Sequence, residues 1–249
     1  TPSRLVPEAH PVGCDTLIME GTYSGREHED RASIEDAFLE RVRETVERGG
    51  TCIVPCFAVG RTQEVLMVLE KMPAPIWLDG MGRRVTELFM RHPGYLRDPQ
   101  RLDKILSRVR FVRNHRDRRT ACQPGNIIVT TSGMVEGGPV IHYLSKLHDD
   151  EASSVLLTGY QVEGTGGRML MDRGRVPIDG RETLVRCHVE HFDFSGHAGH
   201  SELVRFAEGC QPETIVLCHS DQPQPLIEDL ESVARRVIAP TNGEAVRIP

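Results

Sequence analysis

The chain has 249 residues, of which 39% are apolar and 27% charged, and it carries a net charge of −6 at pH 7 with histidine neutral. That length supports one large domain or two modest ones with their own cores. The charge excludes a uniformly basic nucleic-acid coat but leaves room for a local basic groove. No run approaches the roughly 18 apolar residues of a membrane helix, so no membrane partner is expected.

The opening "TPSRLVPEAHPVG" has no apolar core of the kind a secretory signal carries. The expected location is the cytoplasm, and the missing initiator Met suggests a processed chain or a piece of something longer. "DTLIME" (15–20) is a short apolar run and reads as a buried strand. "SIEDAFLERVRETVERG" (33–49) has helical spacing through Ile34, Phe38, Val42 and Val46 and stops on Gly49 and Gly50. "TCIVPCF" (51–57) predicts a strand, "RTQEVLMVLEKM" (61–72) a helix stopped by Pro73, "PIWLDG" (75–80) a strand and "RRVTELFMRH" (83–92) a helix. Residues 93–125 are Arg-rich and weakly periodic, and read as a loop-rich excursion. Strands follow at 126–131, 154–160, 183–192, 214–220 and 245–249, and helices at 138–147, 201–209 and 225–236.

Strands separated by helices imply βαβ units and open, mostly parallel sheets with helices on both faces. In such sheets the chemistry gathers at the carboxyl ends of the strands. Glu20 ends one strand, Ser132 and Gly133 follow another, and His197 and His219 follow two more.

His219, in "LCHSD", can offer a ring nitrogen to a metal. A single imidazole is not a metal site, so a structural role stands beside that reading. His197 lies in "DFSGHAGH", where small residues ahead of a helix admit a phosphate to its backbone N–H groups. His191 and His200 read as structural or solvent-facing. Gly60 with Arg61, "TTSGMVEGGP" and "GYQVEGTGGR" are small-residue loops after strands, and each alone is an ordinary turn. The seven cysteines are odd in number, scattered and without a C-x-x-C pair. They read as buried free thiols in a reducing compartment rather than as zinc ligands.

Taken in order, "LIMEGTYSG", "PCFAVGRTQEVL", "TTSGMVEGGP", "TGYQVEGTGGR", "FSGHAGH" and "VLCHSD" form a specific set. In that order the chain resembles the β-CASP branch of the metallo-β-lactamase-fold nucleases, from about residue 10 to its end. The archaeal and bacterial members related to the cleavage and polyadenylation factor are the most similar. The resemblance implies an α/β fold in which a doubly wound, mostly parallel β-CASP domain (25–192) is inserted into the C-terminal part of a metallo-β-lactamase αββα sandwich (1–24 and 193–249). The cleft between them is expected to take single-stranded RNA.

Carried over by motif, Glu20 matches the acidic first motif, His197 the second and His219 the third. The resemblance makes His219 a zinc ligand and His197 the general acid, oriented by Glu20. A carboxylate beside an imidazole favours the protonated ring and fixes its orientation, so the ring can donate to a leaving oxygen. Ser195, Ser132 and Gly133 are the implied phosphate holders, with Arg61 as a further RNA contact. Two departures stand out: "SGHAG" has Gly199 where the family has Asp, and "CHSD" has Ser220 where it has Gly.

The same resemblance implies two Zn²⁺ ions held largely by an H-x-H-x-D-H motif upstream of "MEGTY", and this chain has no such motif. The expectation is therefore part of a zinc-dependent ribonuclease, inactive alone, that needs an N-terminal metallo-β-lactamase half or subunit. The apolar strands "DTLIM" and "TIVLC" would otherwise leave an apolar face needing cover. A homodimer is compatible with the family. The alternative is a non-catalytic scaffold subunit of an RNA-processing complex.

Overall fold

The computed structural model describes residues 3–248. In chain order the first half contains β1 (Thr16–Glu20), α1 (Arg31–Glu47), β2 (Cys52–Pro55), α2 (Arg61–Val68), β3 (Ile76–Asp79), α3 (Met81–Arg91), α4 (Pro99–Leu106), β4 (Arg110–Phe111) and α5 (His115–Ala121). Then come β5 (Ile127–Thr130), α6 (Pro139–Leu147), β6 (Ser154–Leu157), α7 (Gly166–Arg173), β7 (Arg175–Ile178), β8 (Arg181–Leu184) and β9 (His188–His191). The chain closes with α8 (His200–Cys210), β10 (Thr214–Cys218), α9 (Gln224–Leu230) and β11 (Arg236–Ile238).

These elements form two compact units. One combines Ser3–Pro7 with Ala32–Phe194; the other combines Glu8–Arg31 with the chain from Ser195 onward.

The larger unit holds a six-stranded sheet in the order β4-β3-β5-β2-β6-β9, parallel at every pairing. Its four inner strands, β3, β5, β2 and β6, are short, mostly apolar and buried on both faces, whereas the edge strands β4 and β9 carry polar, partly exposed residues. Successive residues of β2 show this directly. Cys52 and Val54 enter one core with Phe38 and Val42 of α1, Val65 and Leu66 of α2, and Leu102 and Ile105 of α4. Ile53 enters the other core with Tyr143 and Leu144 of α6 and Leu170 of α7. Helices therefore wind onto both faces, as the strand–helix alternation implies.

The smaller unit holds a three-stranded parallel sheet in the order β1-β10-β11, with Glu20 opposite Cys218 in register. Met19, Ile215 and Leu217 pack on Leu203 and Ala207 of α8 and on Leu226 and Leu230 of α9. The expectation of a fully buried first strand needs correcting. Met19 is buried, but Ile18 is 63% exposed, because the alternation of side chains turns it to the opposite face. That apolar face is narrower than expected, since Val216 on the adjacent strand is only 8% exposed.

Other differences have local causes. Residues 93–125 are not a loop-rich excursion but contain α4, β4 and α5. The caps were readable there: Asp98 with Pro99, and Asn114, accept N–H groups of the following helix turn. The strand expected over 183–192 divides into β8 and β9. β7 and β8 make an antiparallel hairpin. Its turn holds Asp179 and Gly180 at φ +49° and +76°, a pairing that favours a two-residue hairpin turn. The "GYQVEGTGGR" loop runs into α7, capped by the Thr165 hydroxyl. The helix expected to reach 236 stops at Leu230, which leaves Arg236–Ile238 to form β11. Residues 245–248 are not a strand, and Pro249, the last residue of that expected strand, lies outside the described residues.

Candidate metal and acid–base site

The parallel register of β1 and β10 brings two carboxyl ends side by side. Glu20 is the last residue of β1, and His219 follows the last residue of β10. The Gly21 N–H donates to the Cys218 carbonyl at 2.9 Å, which ties the two exits together. His219 then turns at φ +51°, in the left-handed region that histidine enters more readily than most side chains. His197 lies two residues before Gly199, the N-cap of α8, and its N–H donates to the Ser195 hydroxyl at 3.1 Å.

The three groups converge. Glu20 Oε2 is 3.3 Å from His197 Nδ1. The backbone N–H groups of Thr22 and Ala198 donate to the same carboxylate at 2.7 and 3.2 Å. The two imidazoles stack with centroids 5.3 Å apart and planes 17° from parallel. Ligand atoms from Glu20, His197 and His219 all lie within 4.8 Å of one another. Burial pushes the Glu20 carboxyl up, but the Thr22 hydroxyl, the two backbone N–H groups and the adjacent His197 outweigh it and hold the group below its ordinary range.

A carboxylate with two imidazoles is a donor set suited to zinc. Their arrangement divides the set. A coordinating lone pair lies in the ring plane, so stacked rings send their lone pairs side by side rather than to one point. His219 is exposed, and its Nε2 has no partner among the described residues. The site thus offers one imidazole to a metal and, beside it, a separate carboxylate–imidazole pair.

Thr22, Glu27 and His28 also shape the site, and sequence reasoning did not single them out. The Thr22 hydroxyl lies between the two histidine rings, 3.2 Å from His197 Nδ1 and 2.9 Å from His219 Nδ1. His28 Nε2 is 2.9 Å from the His197 carbonyl, which makes it the donor there. Glu27 accepts the Ser201 N–H at 2.8 Å, in the first turn of α8. All three belong to "EGTYSGREH", a polar run directly after a strand, which was the available signal.

The two departures from the family pattern have physical accounts. A Cβ on Gly199 would meet Glu27 Oε2 at 2.7 Å, so Glu27 fills the space an Asp side chain would enter. A Cβ on Gly21 would meet Ser220 Cβ at 3.1 Å, so Ser220 packs on the bare backbone of "MEGTY".

The remaining expected residues lie elsewhere. His200 is structural: Nδ1 accepts the Gly25 N–H at 2.9 Å and Nε2 contacts Asp229 at 2.7 Å. His191 Nε2 contacts the Gly159 carbonyl at 3.1 Å. Ser132, Gly133 and Arg61 belong to the larger unit. The Ser132 hydroxyl accepts the Glu136 N–H at 3.2 Å. Gly133 is buried, and a Cβ there would meet Phe57 N at 2.8 Å, which is a packing reason for glycine. Arg61 opens α2 with its guanidinium 5.9 Å from the centroid of the Phe194 ring. Cys52, Cys56, Cys187 and Cys210 are buried free thiols, whereas Cys218 is exposed at the strand end beside the site. Burial pushes the Cys56 thiol up to about 12.

The Beta-Casp domain matches residues 62–170, and the Zn-dependent metallo-hydrolase RNA specificity domain matches residues 183–236. The chain is 36% identical over 244 residues to "Probable RNase MJ4" of Methanocaldococcus jannaschii, covering 94% of this chain and 56% of that protein. It is 35% identical to "RNase aCSPSF2" of Saccharolobus solfataricus, covering 94% of this chain and 48% of that protein. It is 34% identical to "Transcription termination factor FttA" of Thermococcus kodakarensis, covering 94% of this chain and 41% of that protein. The chain therefore spans about half the length of the curated relatives it matches. A crystal structure of an Enterococcus faecalis protein of unknown function shares the fold, with a TM-score of 0.56 at 18% identity, covering 94% of this chain and 51% of that one.

Proposed function

From the premise that the chain belongs to the β-CASP family of metallo-β-lactamase-fold nucleases, we propose that it is part of a zinc-dependent ribonuclease that hydrolyses RNA phosphodiester bonds. The observation that carries the reading is the convergence of Glu20, His197 and His219 at two adjoining strand ends. The arrangement sets a part-exposed carboxylate–imidazole pair beside an exposed imidazole, which suits proton transfer next to a metal.

His219 would hold a zinc ion through Nε2. When bound, zinc acts as a Lewis acid that stabilises charge developing on the phosphoryl oxygens. Glu20 receives the Nδ1–H of His197 and fixes the ring, and His197 passes a proton from its other nitrogen to the leaving sugar oxygen. Ser195 shapes the His197 turn by accepting its N–H. Ser132 and Arg61 would be further contacts to the RNA backbone. Gly133, buried against Phe57, serves by letting that loop pack closely.

The complete site would use two zinc ions, with the remaining ligands supplied by an N-terminal metallo-β-lactamase half carrying H-x-H-x-D-H. Two observations support this. The trio supplies a single metal-directed imidazole, and the matched relatives are about twice as long.

The test uses the complete assembly and labelled single-stranded RNA. His197→Ala is expected to abolish cleavage with zinc content nearly unchanged, and His219→Ala to lower both. An equal loss of zinc in the two variants overturns the division of roles. Zinc-free protein that still cleaves overturns the reading as a whole.

A further inference from the structure

We infer that the Thr22 hydroxyl is a positioning group that fixes which nitrogen His219 presents and holds the Nδ1 edge of His197 beside it. The consequence for catalysis rests on the proposed nuclease reading; the observation itself does not.

The argument is a count of protons. Thr22 Oγ1 lies 2.9 Å from His219 Nδ1 and 3.2 Å from His197 Nδ1, and it is in donor range of the His219 carbonyl at 3.3 Å. A hydroxyl has one proton and two acceptor lone pairs. The His219 carbonyl can only accept, and the inference gives the hydroxyl proton to an acceptor of that kind. The Glu20 carboxylate, which this hydroxyl also reaches, can only accept as well. Either choice leaves both lone pairs of Oγ1 facing the two Nδ1 atoms. Each ring then donates from Nδ1. His197 has a second acceptor on the same edge, Glu20 Oε2 at 3.3 Å.

A neutral His219 with its proton on Nδ1 carries its lone pair on Nε2. That is the nitrogen without a partner among the described residues, and only a lone pair can bind a metal. Metal-binding histidines are generally fixed in this way, by donating the other N–H to a fixed acceptor. Here the acceptor is a threonine on the neighbouring strand exit, and it serves two rings at once.

The hydroxyl is held in place. The Thr22 N–H donates to Glu20 Oε2 at 2.7 Å, and its carbonyl accepts from Arg26 Nη2 at 2.9 Å. The preceding Gly21 lies under Ser220, close enough that a Cβ would sit 3.1 Å from Ser220 Cβ. The turn therefore fixes the Cα of Thr22, and a β-branched side chain has few rotamers open to it. Thr22→Ser keeps the hydroxyl; Thr22→Val keeps the shape and removes it.

The experiment compares these two variants with the unaltered chain. The first readout is ¹⁵N–¹H correlation of histidine-labelled full chain, without metal, at a pH where the imidazoles are neutral. The expected result is the Nδ1–H tautomer at His219 in the unaltered chain and in Thr22→Ser, relaxing toward the free-imidazole mixture in Thr22→Val. The second readout is zinc affinity of the complete assembly, expected to fall about 10- to 100-fold in Thr22→Val and to be largely restored in Thr22→Ser. An Nε2–H tautomer at His219 in the unaltered chain overturns the inference, as does a Thr22→Val variant that keeps both tautomer and zinc affinity. A tautomer change without any loss of zinc affinity leaves the positioning role of Thr22 standing and overturns instead the assignment of His219 as a zinc ligand.

Discussion

Two carboxylates end parallel strands in this chain, and their surroundings have made them opposites. Asp79 ends β3 in the larger unit and Glu20 ends β1 in the smaller one. Asp79 is 4% exposed, with Arg118 Nε at 2.7 Å and the Tyr143 hydroxyl at 2.8 Å. Its partners are spent on it: the Arg118 guanidinium is held above its usual range by that bond, and the Tyr143 hydroxyl is pushed well up by burial and by Asp79. Glu20 is held by two backbone N–H groups and faces His197, whose side chain is 43% exposed. The strand end is a favourable place for chemistry in both units, but only a carboxylate that keeps contact with solvent and with a part-exposed imidazole has capacity to act on something else.

The sharpest way to break this comparison is to remove each carboxylate. Asp79→Ala leaves a guanidinium and a phenol without their acceptor in a packed core. It should cost about 3 kcal/mol, the lower end for breaking a buried pair because Arg118 keeps some solvent. Urea unfolding measures it. Glu20→Ala should cost no more than about 1 kcal/mol while abolishing cleavage in the complete assembly. Similar losses of stability in the two variants would mean that Glu20 is a structural anchor as well.

A smaller effect separates the two sheets. Ile53 on β2 is fully buried and Ile18 on β1 is 63% exposed, although both occupy the middle of short apolar strands. Ile53→Val should cost about 0.5–1.5 kcal/mol, whereas Ile18→Val should stay within about 0.5 kcal/mol. A cost at Ile18 matching that at Ile53 would show its face covered in solution.

These pairs also mark what was legible in the sequence. "TCIVP" and "DTLIM" look alike as apolar runs, and nothing within either run tells how many faces the fold will cover. Helical spacing in Ile34, Phe38 and Val42 was unambiguous because a 3.6-residue period repeats over several turns. Between residues 93 and 125 the helices are about two turns long, too short for a period to register, and their caps at Asp98 and Asn114 were the signal that went unread. At the site, Glu20, His197 and His219 drew attention because the first ends a strand, the other two follow strands, and each matches a family motif. Thr22 was not, since its importance comes from a distance to two rings more than 170 positions away in sequence. Gly133 shows the reverse: a loop glycine that read as a phosphate cradle has a close-packing explanation in Phe57.

A further small effect tests the electrostatics of Glu20 itself. Its carboxyl is held below the ordinary value of 4.5. A depressed folded-state value means that the ionised form is favoured by folding. The resulting stabilisation is complete above the unfolded value and disappears as pH falls through the folded one. The stability difference between the unaltered chain and Glu20→Gln should therefore be constant from about pH 7 to about pH 5.5. It should then shrink as the medium is acidified through and below the ordinary carboxylate range. The amplitude should stay under about 1 kcal/mol, since the pair is half-exposed and screened. Chemical denaturation of both proteins across that range decides the sign. A difference that grows on acidification would mean that burial prevails over the hydrogen bonds from Thr22 and Ala198. Glu20 would then fold preferentially as the neutral acid and could not serve as the acceptor that orients His197.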